Sequence, residues 1–399
     1  MKKMIAAAIA AVGLCANFVP APSHAAEPTV GIVAAFSGAY AEWGEAYKRE
    51  IDLAMSELDG KNGNPKIHLI LRDAPGASDI ARTKQVVQEF ITRDGAVVIG
   101  GGEFTPEALA VASLVTEAKV PYVIFNGSTS SNTDHSPYLL LIGFTTWQPD
   151  VPIAEYAATH GCKRVTMIVA DYAPGADTIA AFSYGFEKHG GKIAAIIKVP
   201  LGTSDFSAYL QRIKDSHPQC VFPFMPGGPM SLAFIKQYSQ QGFPKQGIVY
   251  YDAGTVAENQ LDPIGDAALG IISSGFYSTY LDNPTNKAFI AALAKKDPNI
   301  RRKFVPVDAY DGMHLIFHML KATEGHRSGD AMMAAAKGYH WMSPRGPISI
   351  DPATRDIVQN IYIRKVVKDK NGVLYNKEFL TYPNVHDQWH EVQAAKAKK

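Results

Sequence analysis

Polar side chains follow two apolar runs of the chain, and their types suit the binding of a small anion. Residues 97–99 lead into three glycines and then into a first loop, Glu103, Phe104 and Thr105. Residues 120–125 lead into a second loop, Asn126, Gly127, Ser128 and Thr129. Hydroxyl groups and free backbone N–H groups donate hydrogen bonds to a carboxylate or a similar acceptor-rich group. The alternative is that both loops only turn the chain.

The segment between the two loops predicts how they are positioned. Thr105 followed by Pro106 is typical of a helix N-cap and first turn, which would leave the first helical amides bare. An apolar strand on each side completes a strand-helix-strand unit with parallel strands. Because ligands of open α/β folds bind at the carboxyl ends of the strands, the two loops are predicted to form one site.

A dinucleotide site is the competing interpretation of the glycine-rich loop. Gly100 and Gly102 match the first two glycines of the G-x-G-x-x-G fingerprint, but Thr105 occupies the third position. Asn126 stands after the next strand, where an acidic residue would bind the ribose. We therefore expect no cofactor.

The composition is that of an ordinary globular protein. The chain has 399 residues, of which 47% are hydrophobic and 19% are charged, and its formal net charge is +1. This length predicts two domains, and the near-neutral charge argues against nucleic acid or a membrane surface as a partner. No run after the N-terminus reaches the roughly 18 apolar residues of a membrane span, so we expect no membrane insertion.

Residues 1–25 predict a cleavable secretory signal peptide. Two lysines precede an apolar run over residues 4–16, and Ser23-His24-Ala25 supplies a small-x-small cleavage site. Leu14 before Cys15 lacks the small side chain of a lipoprotein signal, which argues against a lipid anchor. The mature protein is expected to begin at Ala26 and to be periplasmic.

Two cysteines remain in the mature chain, Cys162 and Cys220. Each precedes an apolar strand, so both would lie at the amino edge of a parallel sheet, away from the ligand loops. Export permits a disulfide between them. Two buried thiols are the alternative.

Strand and helix patterns alternate along the chain in two similar series. The first covers residues 29–129 and the second runs from residue 151 to residue 253. The predicted fold class is α/β, with two doubly wound parallel-sheet lobes. Further strands are expected at 271–276, 348–350 and 359–367, with helices between 286 and 336. Asn371-Gly372 indicates a hairpin, and the tail from Gln388 is expected to be frayed.

Seven segments of the chain, in their order and spacing, resemble the leucine/isoleucine/valine-binding proteins, which are type I periplasmic solute-binding proteins of ABC importers. The resemblance covers essentially the whole mature chain. The segments are Val30-Gly31-Ile32 into Phe36-Ser37-Gly38 with Ala41-Glu42-Trp43-Gly44; Val97-Val98-Ile99-Gly100; Val120-Pro121 into Asn126-Gly127-Ser128-Thr129; Thr203-Ser204-Asp205-Phe206; Gln240-Gln241-Gly242-Phe243; Asp266-Ala267-Ala268-Leu269-Gly270; and Ala309-Tyr310-Asp311.

The resemblance implies a three-strand hinge on which the lobes close over a ligand. The chain would cross between lobes near residues 144–149, 275–280 and 345–350. Lobe 1 would then comprise residues 26–146 and 279–346, and lobe 2 residues 147–278 and 347–399.

The resemblance also implies a function. A monomer would capture a small carboxylate-bearing solute, either an amino acid or an aromatic or organic acid, and deliver it to an ABC permease. The alternative is a ligand-binding sensory subunit that presents the same closed form to a membrane receptor.

The first lobe is expected to bind the carboxylate of the ligand. Gly127, Ser128 and Thr129 match the family's second loop, whereas the first loop has Phe104 where the family has a serine. Trp43 matches the aromatic residue that the family places over the ligand.

The second lobe is expected to contribute Tyr172 and Asp252. Tyr172 lies two residues before the position of the family's tyrosine, and Asp252 would be the counter-charge of a ligand ammonium group. Together, Trp43, Phe104 and Tyr172 offer more aromatic surface than a small aliphatic amino acid needs. This favours an aromatic or larger carboxylate.

The motifs that the chain lacks argue against catalysis. It has no Gly-x-Ser-x-Gly elbow, Walker loop or His-Glu-x-x-His motif, so we expect no enzyme. His314 and His318, and likewise His386 and His390, are four residues apart and could share a metal, but neither pair has an obvious third ligand. We expect no metal site.

Overall fold

The computed structural model describes residues 27–226, 228–324 and 328–398. The predicted signal peptide lies outside these residues. The strands are β1 (Thr29–Ala34), β2 (His68–Asp73), β3 (Val98–Gly101), β4 (Tyr122–Ile124), β5 (Leu139–Leu141), β6 (Arg164–Ala170), β7 (Lys192–Val199), β8 (Cys220–Phe224), β9 (Val249–Ala253), β10 (Ile272–Gly275), β11 (His340–Ser343), β12 (Gly346–Ile350), β13 (Ile357–Lys368) and β14 (Leu374–Val385). The helices are α1 (Ala41–Leu58), α2 (Ile80–Thr92), α3 (Thr105–Ala118), α4 (Trp147–Thr159), α5 (Ala173–Lys188), α6 (Ser207–Asp215), α7 (Pro229–Gln240), α8 (Glu258–Ile264), α9 (Pro284–Ala294), α10 (Asp308–Ala322), α11 (Gly329–Ala336) and α12 (Trp389–Ala397).

Both lobes are built on five parallel strands in the same order. The sheet of lobe 1 has the order β2-β1-β3-β4-β5, and the parallel part of the second sheet has the order β7-β6-β8-β9-β10. Helices cover both faces, because the central strands are buried on both sides and the helices pack apolar faces against them. The predicted α/β fold class is confirmed, and the two lobes share a topology that their sequences do not show.

The second sheet also has antiparallel strands that the sequence interpretation left out of the parallel core. β13 pairs antiparallel with β10, β12 and β14, and β11 pairs with β12. The predicted turn at Asn371-Gly372 joins β13 to β14. The sequence interpretation missed β5, α8 and β11, which have three to seven residues each.

The C-terminal tail differs from the expectation. Residues predicted to be frayed form α12, whose Trp389 and Val392 pack against Trp147, Val151 and Ala181 of α4 and α5. These two apolar residues are three apart and therefore lie on one face of the helix.

The third crossing between the lobes lies later than predicted. Ile348 and Ile350 of β12 and Ile357 at the start of β13 belong to the core of lobe 1, and Leu141 donates its amide hydrogen to the carbonyl of Arg355 at 3.1 Å. The chain therefore enters lobe 2 along β13, not at residues 345–350. β13 is a single strand of 12 residues, and its sequence does not change in character at the point where the chain passes from one lobe to the other. The sequence therefore gives no signal for this crossing.

One buried arginine, Arg345, connects the segments of the hinge to one another. The Arg345 guanidinium donates to the carbonyls of Ile142 (2.9 Å) and Gly143 (3.1 Å), in the first crossing. It also donates to the side chains of Asp311 in lobe 1 and Gln359 in β13, both at 2.8 Å. These contacts tie the first and third crossings to α10.

Candidate ligand-binding site

The two predicted loops lie side by side at the carboxyl edge of the first sheet. Phe125 donates its amide hydrogen to the Gly101 carbonyl (2.9 Å), and Asn126 donates to the Gly102 carbonyl (3.1 Å). The Asn126 side chain donates to the carbonyl of Glu103 at 2.7 Å. Adjacent parallel strands thus bring both loops to one place, as the strand-helix-strand pattern predicted.

Gly101 permits this close approach of the loop to β1. Its φ is +123°, and a Cβ there would lie 1.9 Å from the Val33 carbonyl oxygen. No other residue type fits such a contact without moving the backbone.

The start of α3 differs from the prediction by one residue. The N-cap is Phe104 and not Thr105, and Glu107 in the first turn accepts the amide hydrogens of Glu103 (2.9 Å) and Phe104 (2.8 Å). These two amides are therefore satisfied from within the chain. A glutamate three residues after the N-cap commonly folds back in this way, so the sequence does contain a signal for this role of Glu107.

Three buried polar atoms of the two loops have no hydrogen-bond partner among the residues that the structure describes. They are Thr105 Oγ1, Asn126 Oδ1 and Thr129 Oγ1. Most buried polar atoms in proteins are paired, so these atoms are candidates for contact with a ligand or water. Ser128 is half-buried, and its carbonyl accepts from both the amide (2.8 Å) and the hydroxyl (2.7 Å) of Thr146, which ties the second loop to the first crossing.

A group of aromatic rings stands beside these loops. The ring of Trp43 lies 4.5 Å from Phe304 and 6.2 Å from Phe104, and Tyr40 lies 4.6 Å from Phe104. All four are half-buried. The sequence predicted Trp43 and Phe104. Tyr40 lies one turn before Trp43 and could have been predicted by the same argument. Phe304 is distant in the sequence, and no nearby residues indicate that it joins the site.

Tyr172 lies on the lobe 2 side of the cleft. It is the N-cap residue of α5 and stacks on Phe224 with a centroid distance of 6.1 Å. Burial raises its pKa to about 12, and the phenol of Tyr40 in lobe 1 adds to the shift. Tyr172 therefore remains a hydrogen-bond donor at neutral pH.

Asp177 is a cleft residue that the sequence interpretation missed. Burial raises its pKa to about 6, and the Thr129 hydroxyl of lobe 1 is near enough to its carboxylate to oppose this shift, although the two groups do not meet the geometry of a hydrogen bond. An aspartate four residues into a helix carries no sequence signal that separates it from a solvated one.

Asp252 binds groups of its own chain, whereas it was expected to bind an ammonium group of the ligand. It is fully buried and accepts hydrogen bonds from the amides of Thr255 (2.9 Å) and Val256 (3.3 Å) and from the Thr255 hydroxyl. Burial raises its pKa. Its carboxylate holds the turn after β9, so its geometry does not support the predicted role as an ammonium counter-charge.

The two lobes are in contact outside the hinge. Asn259 of α8 donates to Glu42 of α1 at 3.2 Å, and Arg302 pairs with Asp262 at 2.7 Å. These contacts join the rims of the cleft, so the structure represents a closed arrangement.

The histidine pairs have other partners. His318 stacks on Tyr339 with a centroid distance of 3.4 Å, and His390 hydrogen bonds to Asp134. Within residues 27–226, 228–324 and 328–398, no three His, Cys, Asp or Glu side chains are grouped to hold a metal ion. None of the helices in those ranges is long and apolar enough to cross a membrane.

Two lobes of shared topology, a three-crossing hinge and a cleft closed between them define a two-lobe solute-binding protein. The family model described as periplasmic binding protein matches residues 27–371, and the chain belongs to this family. This confirms the resemblance to the leucine/isoleucine/valine-binding proteins. The relatives found are solute-binding proteins and not enzymes.

Known relatives cover nearly the whole chain. A Leu/Ile/Val-binding protein homolog 6 from Brucella melitensis is 40% identical over 389 residues, which are 97% of this chain and 98% of the relative. A solute-binding protein of an ABC transporter from R. palustris, solved in complex with 4-hydroxybenzoate, is 40% identical with a TM-score of 0.86 and covers 92% of this chain and 100% of its own. A similar protein from Rhodopseudomonas palustris BisB5, solved with 3,4-dihydroxybenzoic acid, is 42% identical with a TM-score of 0.81 and covers 90% and 98%.

Proposed function

We propose that this protein is an exported, periplasmic receptor that binds a single-ring aromatic carboxylic acid of the hydroxybenzoate class between its lobes and delivers it to an ABC permease. The observation that carries the proposal is the aromatic group around Trp43 and Phe104 beside the two polar loops. Aromatic side chains favour offset or edge-to-face contact with an aromatic ligand. The hydroxybenzoates in the two solved relatives support the same ligand class.

The polar atoms of the site match the other parts of such a ligand. The hydroxyls of Thr105 and Thr129 can donate to a carboxylate, and the free Asn126 Oδ1 can accept from a phenolic hydroxyl. Asp252 already serves the turn after β9. A benzoate needs no counter-charge for an ammonium group. The proposed ligand class is therefore compatible with an Asp252 whose carboxylate is already hydrogen-bonded within the chain.

Thr129→Ala is expected to weaken the binding of 4-hydroxybenzoate by roughly 10- to 150-fold. A hydrogen bond from a hydroxyl to a charged group contributes about 1.5–3 kcal/mol, and the variant removes the donor. Isothermal titration calorimetry of the mature protein measures the affinity directly. Thr159→Ala, on the exposed end of α4, is the matched control and should bind like the wild type.

The choice of ligand class is tested by the same titration with leucine, benzoate and 4-hydroxybenzoate. Binding of the two aromatic acids, with no heat from leucine, supports the proposal. Tight leucine binding that is lost in Asp252→Asn would overturn it, because an amino-acid ligand would then use the counter-charge.

Delivery is tested in cells. A strain without the gene should lose uptake of labelled 4-hydroxybenzoate at micromolar concentration, and the gene with its signal segment should restore it. Restoration by a gene that lacks residues 1–25 contradicts export, and undiminished uptake in the deletion strain contradicts delivery to a permease.

A further inference from the structure

Glu103 and Glu107 form a buried pair of carboxyl groups beneath the ligand loops. Both side chains are fully buried. Glu103 Oε1 accepts the amide hydrogen of Ala35, directly after β1, at 2.8 Å. The amide of Glu103 donates to Glu107 Oε2 at 2.9 Å, and its carbonyl accepts from the Asn126 side chain. Glu103 therefore joins the loops that follow β1, β3 and β4.

The second oxygen of Glu103 has no partner among the described residues. It lies next to the loop after β2, where a Cβ on Gly76 would be 3.6 Å away. A buried carboxylate oxygen with neither a donor nor a cation is costly. The same oxygen becomes a neutral O–H group if it carries a proton.

The groups that face the pair do not neutralise two negative charges. They are Tyr47 from α1, Thr83 from α2 and Tyr122 from β4, whose side chains are uncharged at neutral pH. No basic side chain of the described ranges forms an ion pair with either carboxyl, and the charge that acts most strongly on Glu103 is that of Glu107. A like charge beside a buried carboxyl group favours its neutral form, so one carboxyl of this pair is expected to hold a proton.

We propose that Glu103 is a neutral carboxylic acid that shares one proton with Glu107 and positions the ligand loops, so that ligand binding requires this proton. Glu103 is then a positioning residue beneath the cleft and not a ligand contact. The inference rests on the proposed ligand site, because those loops carry Thr105, Asn126 and Thr129.

The electrostatics support the assignment of the proton. Burial raises the pKa of Glu103 well above its ordinary value, and the charge of Glu107 raises it further. The folded protein then holds a proton that the unfolded chain releases near the ordinary pKa of glutamate. The stabilising effect is present at low pH, decreases as pH rises above the ordinary pKa, and is lost when pH reaches the raised pKa.

The first experiment measures affinity for 4-hydroxybenzoate from about pH 5.5 to about pH 9. Wild-type affinity should fall at the alkaline end, by up to about tenfold per pH unit above the raised pKa. In Glu103→Gln the amide replaces the neutral acid, so the alkaline loss should disappear. Glu50→Gln is the control, since Glu50 is a second buried acid with a pKa raised to about 7 by burial. It caps α10 through the amides of Val307 and Ala309, so the alkaline loss should persist.

The second experiment separates positioning from folding. Glu103→Ala leaves the Ala35 amide without an acceptor and should weaken binding about tenfold, and Glu103→Gln should restore most of that loss. The melting temperature of the ligand-free wild type should fall more steeply with rising pH than that of Glu103→Gln.

The outcomes distinguish the two proposals. Flat wild-type affinity over this pH range, equal alkaline loss in Glu103→Gln, or parallel melting profiles would each overturn the neutral-acid assignment. Failure of the wild type to bind any aromatic acid would overturn the proposed function, and the melting profiles would still decide the state of Glu103.

Discussion

Replacing Cys162 and Cys220 together by alanine is expected to lower the free energy of unfolding of lobe 2 by about 4 kcal/mol. The two residues are joined by a disulfide across 58 positions, with a Cα–Cα distance of 6.0 Å. Such a bond restricts the unfolded chain, and the cost of closing a loop of this length sets the magnitude. Both sulfurs are buried at the amino ends of β6 and β8, so the bond closes the edge of the sheet opposite to the cleft.

The measurement is urea unfolding of the oxidised wild type and of the double variant, followed by circular dichroism. Because the bond lies away from the ligand loops, the variant should bind 4-hydroxybenzoate with wild-type affinity at temperatures where lobe 2 is folded. A wild type that contains two free thiols by mass spectrometry, or equal unfolding curves for both proteins, would contradict the prediction.

The alternating strands and helices were predictable because their residues carry a strong local pattern. β6 and β7 were placed with the observed bounds, since each is a β-branched apolar run that ends at a proline, glycine or charged turn. The second series of strands and helices predicted the two lobes, and the family resemblance added the number of crossings. Neither source could place the third crossing, because β13 continues through it as one strand.

The elements that were missed are short or depend on distant contacts. β5 has three leucines and no period that separates a strand from a helix. α12 is stable because Trp389 packs on α4 and α5, and this contact cannot be seen in the local sequence.

The position of the ligand loops was predictable, because the topology of the backbone determines it. The burial of individual side chains at the site was not predictable. The loops after β3 and β4 follow from parallel pairing. Glu103 was expected to meet the ligand because it lies in the first loop, and Asp252 because it matches the family's ammonium-binding acid. In the structure both carboxyl groups are buried and accept hydrogen bonds from backbone amides, which the position of a residue in a motif does not reveal.

Arg345→Met is expected to lower the free energy of unfolding by about 3–5 kcal/mol, the largest effect of a single substitution that we predict. The side chain of Arg345 is fully buried and pairs with Asp311 at 2.8 Å, with Asp308 Oδ1 3.6 Å away. Removing the guanidinium leaves these carboxyl groups buried without their counter-charge. Trp341 and Ser343 still donate to Asp311, but they are neutral groups.

The loss should also affect lobe closure. Arg345 holds the carbonyls of Ile142 and Gly143 in the first crossing, and its guanidinium lies 5.2 Å from the ring of Phe276 in the second. Gln359 links it to β13, which forms the third. A ligand closes the lobes by its extra affinity for the closed state, and a hinge whose crossings move independently makes that closure less cooperative. We therefore expect a smaller ligand-induced decrease in the radius of gyration.

Urea unfolding and small-angle scattering, with and without 4-hydroxybenzoate, test both effects on the same samples. Arg212→Met on the exposed face of α6 is the matched control and should change neither quantity. The cost of Arg345→Met arises mainly from an uncompensated buried charge, so adding Asp311→Leu should recover part of the lost stability. If the two sites were independent, the double variant would instead lose the sum of the two single losses. A single variant that unfolds like the wild type, or a double variant that is less stable than the single one, would show that this ion pair does not hold the hinge together.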